Sequence, residues 1–209
     1  MDGVNPRGGW IEVITGGMFS GKSEELIRRL RRAEIARQRT QIFKPALDNR
    51  FDPKRIISRD NRGLDATAVD SAAGLRSALE FGVKVVGIDE VQFFDASLVE
   101  VCMEMADAGL RVIAAGLDQD YLRRPFGPMP GLLAVAEYVS KMHAVCVRCG
   151  GPAHYSQRIS GGDSQIEVGD ISYEARCRQC YEPYRAEGQD IDPVSALVGL
   201  PTVGTHRPG

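Results

Sequence analysis

The sequence WIEVITGGMFSGKS at residues 10–23 decides the fold, because it joins a short apolar strand to a glycine-rich turn and the start of a helix. Its last eight residues match G-x-x-x-x-G-K-[ST], the pattern of a phosphate-binding loop. The glycines let consecutive backbone N–H groups point at phosphate oxygens, and the helix N-terminus adds positive potential. In such a loop Lys22 reaches the β- and γ-phosphates, and the Ser23 hydroxyl binds Mg²⁺. The predicted phosphate-binding residues are Gly16, Gly17, Met18, Phe19, Ser20, Gly21, Lys22 and Ser23.

Strands and helices alternate over the first two-thirds of the chain. We predict strands at 10–15, 41–44, 84–88 and 111–115, and helices at 22–39, 71–80 and 96–108. Strands separated by helices of this length form a parallel sheet with right-handed crossovers. The predicted fold class is therefore α/β, with a parallel sheet flanked by helices as in P-loop NTPases. We expect little regular structure at 48–70, a mobile loop at 117–131 and a last strand at 137–145.

Two carboxylates follow the most apolar strand of the chain. Asp89 and Glu90 come directly after Val85-Val86-Gly87-Ile88, where the carboxyl end of a parallel strand faces the ligand cleft. Asp89 is a candidate ligand for Mg²⁺, either directly or through water. A carboxylate beside that metal accepts the proton of an attacking hydroxyl or orients a water molecule. Glu90 is the candidate for this role, and transferase and hydrolase chemistry both remain open.

Four of the five cysteines form two Cys-x-x-Cys pairs, Cys146 with Cys149 and Cys177 with Cys180. Four thiolates complete a tetrahedral Zn²⁺ site with no open position, so we predict a structural zinc ion. Cys102 lies in a helical pattern and is predicted to be a buried apolar residue. His143, His154 and His206 are assigned no role. We divide the chain into a nucleotide-binding domain at 10–145, a zinc-binding domain at 146–186 and a flexible tail at 187–209.

Charge and hydropathy narrow the class of protein. The charge sum, 26 basic against 28 acidic residues, gives −2, which disfavours a basic nucleic-acid-binding protein. The arginine-rich helix at 22–39 is accordingly interpreted as a solvated face, with phosphate contacts as the alternative. No apolar run approaches the length of a membrane span, and the first ten residues do not resemble a secretion signal. We therefore expect a cytoplasmic protein.

Three motifs and the cysteine pairs together resemble one family. The motifs are Gly-Gly-Met-Phe-Ser-Gly-Lys-Ser at 16–23, Ile-Asp-Glu-Val-Gln-Phe-Phe at 88–94 and Arg-Arg-Pro-Phe-Gly at 123–127. With two cysteine pairs that enclose Tyr173, the chain resembles the thymidine kinase family of the zinc-containing, human-cytosolic type. The resemblance extends over about residues 10–185.

The resemblance implies transfer of the γ-phosphoryl group of ATP to the 5′-hydroxyl of thymidine, with deoxyuridine as a second substrate. The products are dTMP and ADP, made for DNA synthesis by nucleotide salvage. It implies Glu90 as the catalytic base, Asp89 and Ser23 as the magnesium site, a homotetramer, and feedback inhibition by dTTP. The implied nucleoside-binding residues are Met18, Phe93, Leu117, Tyr121, Phe126, Ser156, Ile166, Val168 and Tyr173.

The zinc domain is expected to anchor a lasso loop, between the cysteine pairs, that binds the thymine edge. Loss of a zinc ligand should then affect nucleoside binding before ATP binding. The chain departs from the family in two places. Arg59 stands where histidine is usual, and the segment between Val168 and Tyr173 is about one residue shorter than in the human-type pattern.

Other functions stay open at this stage. A P-loop ATPase stimulated by nucleic acid would use the zinc domain to grip DNA or RNA. A nucleoside monophosphate kinase would need arginines for the acceptor phosphate, and Arg123, Arg124 and Arg158 are candidates. A zinc-ribbon adaptor without enzymatic activity would leave the phosphate loop unused.

Overall fold

A computed structural model describes residues 8–47, 63–159 and 172–182, together with the backbone of 55–57. Arg59, the greater part of the predicted lasso (160–171) and the predicted tail at 187–209 lie outside the described residues. In the part that is described, no helix combines the length and the apolar character needed to cross a lipid bilayer.

Seventeen named elements follow one another along the described chain. They are β1 (Trp10–Thr15), α1 (Lys22–Ile35), β2 (Thr40–Pro45), β3 (Arg55–Ile57), β4 (Gly63–Asp65), β5 (Thr67–Val69), α2 (Ala72–Ala78), β6 (Val85–Ile88), a 3₁₀ turn (Val91–Phe93), α3 (Leu98–Asp107), β7 (Arg111–Gly116), α4 (Met129–Val135), β8 (Tyr138–Lys141), β9 (Ala144–Val145), β10 (Pro152–Ala153), β11 (Tyr155–Arg158) and β12 (Tyr173–Arg176).

Six strands form one sheet in the order β5-β2-β6-β7-β1-β8, and every neighbouring pair is parallel. This confirms the predicted fold class. The sheet is covered on both faces, as parallel sheets require. Ile11 and Val13 of β1 belong to the core beneath α3 and α4, whereas Ile14 packs with Leu26 and Leu30 of α1. The alternation of side chains along β1 therefore serves two separate hydrophobic cores.

The structure differs from the sequence-based expectation in three segments. The described part of 48–70 contains β3, β4 and β5, and β5 extends the sheet beside β2. Three-residue strands are too short to produce a hydrophobic period, so the expectation of little regular structure there was wrong. Segment 137–145 forms two strands, β8 and β9. The helix predicted at 22–39 ends at Ile35.

The expected mobile loop at 117–131 is packed into the fold. Tyr121 and Phe126 are buried, and Gln119 forms a β-bridge with Pro125. The segment ends in α4, which has a proline in its first turn. Proline is accepted there because the N–H groups of the first turn have no partner within the helix. Two of the three prolines that suggested irregular structure, Pro128 and Pro130, thus mark the start of a helix.

A buried carboxylate joins β1, α1 and β7. Glu12, only 7% exposed, accepts hydrogen bonds from Arg29 at 2.7 Å, Arg111 at 2.6 Å and Trp10 at 2.8 Å. Burial opposes its ionisation, but the hydrogen bonds from Arg111 and Trp10 hold the pKa of Glu12 below its usual value. Arg29 is therefore an internal ion-pair partner, and the interpretation of this helix as a solvated arginine face does not hold for it.

We expect Glu12→Gln to lower the free energy of unfolding by about 3 kcal/mol at pH 7, because two largely buried guanidinium groups lose their counter-charge. A carboxylate whose folded pKa is lowered stabilises the protein above its unfolded pKa, near 4.5, and the stabilisation is lost as the pH falls through the folded value. Urea unfolding at pH 7 and pH 4 tests both points. The difference between wild type and variant should shrink at pH 4, and Glu100→Gln, on the exposed side of α3, serves as the control. An equal difference at both pH values would contradict the prediction.

Candidate active site and cysteine cluster

The phosphate loop and the acidic pair lie at the same edge of the sheet. The loop follows β1, Asp89 follows β6, and β7 lies between these strands with Leu117 after its carboxyl end. Neighbouring strands are about 4.8 Å apart, so the loop and the acidic pair begin about 10 Å from one another. The carboxyl edge of an open parallel sheet is where such folds bind ligands. The predicted site residues of these two motifs therefore lie at the same edge of the sheet, where one ligand could contact both.

The phosphate loop is closed by its own side chains. Lys22 Nζ and Ser20 Oγ each donate a hydrogen bond to the carbonyl oxygen of Gly17, both at 2.8 Å. Gly21, in the left-handed region with φ 82°, precedes the first turn of α1. Phe19 is also left-handed, with φ 67°. The Lys22 ammonium thus lies over the loop, where it can exchange a carbonyl oxygen for a phosphate oxygen.

The acidic corner contains a strained residue. Glu90 has φ 50° and ψ 42°, a left-handed conformation that costs a non-glycine residue on the order of 1 kcal/mol or more. Its backbone N–H donates to Asp89 Oδ1 at 3.0 Å, and the Asp89 N–H donates to the carbonyl of Phe43 in β2 at 3.0 Å. Asp89 is buried. Strained residues of this kind cluster at functional sites, which makes Glu90 a functional candidate on structural grounds too.

Gln92 connects the acidic corner to the strand beside it. Its side chain is 2% exposed, and Nε2 donates to Glu90 Oε2 while Oε1 accepts the Leu117 N–H at 3.0 Å. Gly127 passes so close that a Cβ there would lie 2.2 Å from the Gln92 carbonyl oxygen. This contact explains the glycine of the Arg-Arg-Pro-Phe-Gly motif. Sequence analysis missed Gln92, and its place two residues after Glu90 was the one available signal.

The structure brings several predicted nucleoside-binding residues together in pairs. Phe93 and Phe126 form an edge-to-face pair with ring centroids 5.7 Å apart. The Met18 N–H donates to Ser156 Oγ at 3.0 Å, which joins the phosphate loop to β11. These residues come from distant parts of the chain, and the fold brings the members of each pair into contact.

Arg158 joins two more predicted pocket residues. Its guanidinium carbon lies 3.8 Å from the centroid of the Tyr121 ring, and its Nη2 donates to the Tyr173 hydroxyl at 2.7 Å. Arg158 is itself buried. It was considered above as a ligand for an acceptor phosphate, but here it supports two aromatic side chains. Ile166 and Val168 lie outside the described residues.

Tyr155 of β11 and Tyr181, after the second cysteine pair, also hold the segment 117–127 in place. The Tyr181 hydroxyl donates to the carbonyl oxygen of Tyr121 at 2.6 Å. The guanidinium carbon of Arg123 lies 4.6 Å from the Tyr181 ring centroid and 5.5 Å from that of Tyr155. Arg123, a second candidate for the acceptor phosphate, thus packs on aromatic rings.

The four predicted metal ligands converge. The sulfur atoms of Cys146, Cys149, Cys177 and Cys180 all lie within 4.8 Å of one another, and none of these cysteines forms a disulfide. Zn–S bonds of about 2.3 Å in a tetrahedron place sulfur atoms roughly 3.8 Å apart, and the Cys149 and Cys177 sulfurs are 3.6 Å apart. The cluster fits a tetrahedral metal ion such as zinc. Cys102 is buried in α3, and burial raises its pKa to about 12, in agreement with its predicted apolar role.

The four clustered thiols differ in pKa, which is lowered for Cys146 and Cys177 and raised for Cys149 and Cys180. Burial opposes ionisation of Cys146, but backbone N–H groups of Cys177 and Cys149 lower its pKa to about 6. The Cys180 N–H likewise lowers the pKa of Cys177. The Gly151 N–H favours the Cys149 thiolate, yet contacts with Cys177 and Cys146 raise the pKa of Cys149. Contacts with the Cys177 and Cys149 sulfurs raise that of Cys180 to about 12. A divalent cation among the sulfurs would favour all four thiolates.

The family model and three relatives that match this chain carry the same name. A family model described as thymidine kinase matches residues 9–181. A thymidine kinase of Rhodothermus sp. (strain ITI 518) is 54% identical over 178 residues, which cover 85% of this chain and 83% of the relative. Thymidine kinases of Bdellovibrio bacteriovorus and of Porphyromonas gingivalis (strain W83) are 54% and 55% identical over 176 residues, covering 84% of this chain and 86% of each relative. Among solved structures, the Legionella pneumophila ATPase DotB overlaps 61% of this chain and 34% of its own, with a TM-score of 0.39 and 19% identity.

Proposed function

The chain belongs to the thymidine kinase family and is an enzyme that phosphorylates thymidine, and from that premise we propose the finer reaction. The γ-phosphoryl group of ATP passes to the 5′-hydroxyl of thymidine, and of deoxyuridine as a second substrate, giving ADP and the nucleoside monophosphate. The observation that carries this proposal is the Gln92 bridge, which holds Glu90 beside β7, the strand next to the phosphate loop.

The phosphate loop stabilises the transferred group in this reaction. Charge gathers on the phosphoryl oxygens in the transition state, where fixed N–H donors and the Lys22 ammonium are most effective. Ser23 and Asp89 supply oxygen ligands for Mg²⁺, which, when bound with ATP, neutralises phosphate charge. The closed loop, with Lys22 already over Gly17, supports this assignment.

Glu90 is proposed as the base that accepts the proton of the 5′-hydroxyl. Gln92 donates a hydrogen bond to one carboxylate oxygen of Glu90, which fixes the plane of the carboxyl group. The nucleoside lies against the Phe93–Phe126 pair, and its base meets Ser156, Tyr173 and the lasso. The proposed nucleoside-binding residues are Met18, Phe93, Leu117, Tyr121, Phe126, Ser156, Ile166, Val168 and Tyr173.

The remaining proposals concern the bound metal, the domains, the oligomeric state and the regulation of the enzyme. A structural zinc ion at the four cysteines anchors the lasso, and the convergence of their sulfurs supports this. We retain the division into a nucleotide-binding domain at 10–145, a zinc-binding domain at 146–186 and a tail at 187–209. The enzyme acts in nucleotide salvage in the cytoplasm, as a homotetramer that dTTP inhibits by occupying the nucleoside and phosphate sites together.

One assay tests the reaction. The protein is incubated with ATP, Mg²⁺ and, separately, thymidine, deoxyuridine, other nucleosides, dTMP or DNA, while ADP release is measured. We expect ADP release with thymidine and deoxyuridine, and the monophosphate as the second product. Faster turnover with dTMP would indicate a nucleoside monophosphate kinase, and release that requires DNA would indicate a nucleic-acid-stimulated ATPase.

We expect Gln92→Met to lower kcat about 10-fold while the KM for thymidine changes less than twofold, because the amide orients Glu90 without touching the nucleoside. Methionine retains the volume of glutamine and removes both hydrogen bonds. Steady-state kinetics with thymidine measure the split between kcat and KM, and Gln38→Met, on the exposed turn after α1, is the control. A parallel loss of thymidine affinity would show that Gln92 only supports the pocket.

A further inference from the structure

Phe19 belongs to the phosphate loop, yet its side chain packs against residues of β9, β10 and β12 near the cysteine cluster. It packs against a small apolar cluster formed by Ala144, Cys146, Ala153 and Ala175. Cys177 and Cys180 pack against the same cluster. One phosphate-loop side chain therefore shares a packing core with three of the four cysteines of the metal cluster.

Phe19 makes this contact in a strained backbone conformation. Its φ of 67° is in the left-handed region, which bulky residues rarely adopt. Such a conformation persists only when the surroundings hold it, at a cost on the order of 1–3 kcal/mol. The phosphate-loop pattern accepts any residue at this position. Phe19 thus holds an unfavourable backbone conformation in which its side chain packs against the apolar cluster that includes Cys146.

The two residues before Phe19 contact the same part of the molecule. The Met18 N–H donates to Ser156 Oγ at 3.0 Å, and a Cβ on Gly17 would lie 3.1 Å from the carbonyl oxygen of His154. The His154 N–H in turn donates to the carbonyl of Arg176 at 3.1 Å, directly before Cys177. Three consecutive loop residues therefore contact the region of β9 to β12, and β12 leads directly into the second cysteine pair.

We infer that Phe19 is a positioning residue through which metal binding at the four cysteines sets the conformation of the phosphate loop. The inference rests on the proposed binding of ATP at this loop. It also revises the expectation from sequence that loss of a zinc ligand affects nucleoside binding before ATP binding. Because coupling between two binding sites is reciprocal, a nucleotide that binds the ordered loop must tighten metal binding by the same factor.

The test uses the zinc-loaded protein and follows transfer of zinc to a chromogenic chelator, with and without ADP and Mg²⁺. At equilibrium with the chelator, we expect ADP to raise the zinc affinity of the wild-type protein about 10-fold, within the usual range of coupling between sites. In Phe19→Gly we expect the zinc affinities with and without ADP to agree within twofold, and ADP affinity by calorimetry to fall about 10-fold. Glycine adopts a positive φ without strain, so the loss would report the missing ring.

Two further variants complete the design. Phe19→Leu keeps an apolar contact and should retain part of the effect of ADP on zinc affinity. Phe81→Gly, at a phenylalanine that is 98% exposed, should behave as wild type. If the wild-type protein phosphorylates thymidine and binds ADP but has the same zinc affinity with and without ADP, the coupling is overturned and the proposed function stands. A wild-type protein that binds no ADP refutes the proposed function itself. A wild-type effect of ADP on zinc affinity in Phe19→Gly also overturns the inference, as does purified protein that contains no zinc.

Discussion

Glu90→Gln is expected to lower kcat for thymidine phosphorylation at least about 100-fold while the dissociation constant of thymidine stays within about twofold of wild type. A factor of 100 corresponds to about 2.7 kcal/mol of lost transition-state stabilisation. Glutamine has the shape of glutamate and keeps an oxygen that can accept the Gln92 hydrogen bond. The substitution therefore removes the proton acceptor with little change in the packing of the site.

The measurements are kcat by ADP release and thymidine binding by calorimetry. Glu100→Gln, on the exposed side of α3, controls for the loss of one carboxylate and should keep full activity. If Glu90→Gln keeps more than half of the wild-type kcat, Glu90 is not the base. If thymidine binding falls as steeply as kcat, Glu90 serves to hold the substrate.

The features that sequence analysis predicted are those in which one backbone geometry or one ligand chemistry requires a fixed local pattern. The phosphate loop needs glycines and a lysine at set spacing, and β1 and α1 follow from the apolar residues on either side. The two Cys-x-x-Cys pairs are equally local, although their convergence depends on β12 returning beside β11. Both strong predictions therefore rested on residues within a few positions of one another.

The features that sequence analysis missed depend on partners far along the chain. Val69 is the one buried residue of β5, so the strand carries no visible period and is held by pairing with β2. Gln92 finds its partner at Leu117, and Arg158 lies between side chains from two separate segments. A glutamine or an arginine has many possible roles, and only the tertiary packing selects one of them.

Cys177→Ser should give the second large effect, loss of the bound metal together with the zinc-binding unit. Binding of zinc to four thiolates supplies on the order of 10 kcal/mol in small zinc domains, and that free energy is folding free energy. The apolar cluster beneath the cysteines contains three alanines and Cys146, too little surface to hold the unit alone. We expect less than 0.1 zinc per chain and a melting temperature lowered by at least about 5 °C.

The substrate affinities distinguish a local defect from a general one. Met18 contacts β11, and Phe19 packs against the apolar cluster beside the cysteines. We therefore expect Cys177→Ser to weaken both thymidine and ADP binding, each by at least about 10-fold. Cys102→Ala removes a buried thiol outside the cluster and should keep both affinities and the full zinc content, with a cost in stability of about 1 kcal/mol. If Cys177→Ser weakens thymidine binding while ADP binding is unchanged, the zinc domain acts through the lasso alone. Zinc content, melting temperature and two calorimetric titrations on the same preparations separate these outcomes, since unfolding of the whole chain would abolish the thermal transition itself.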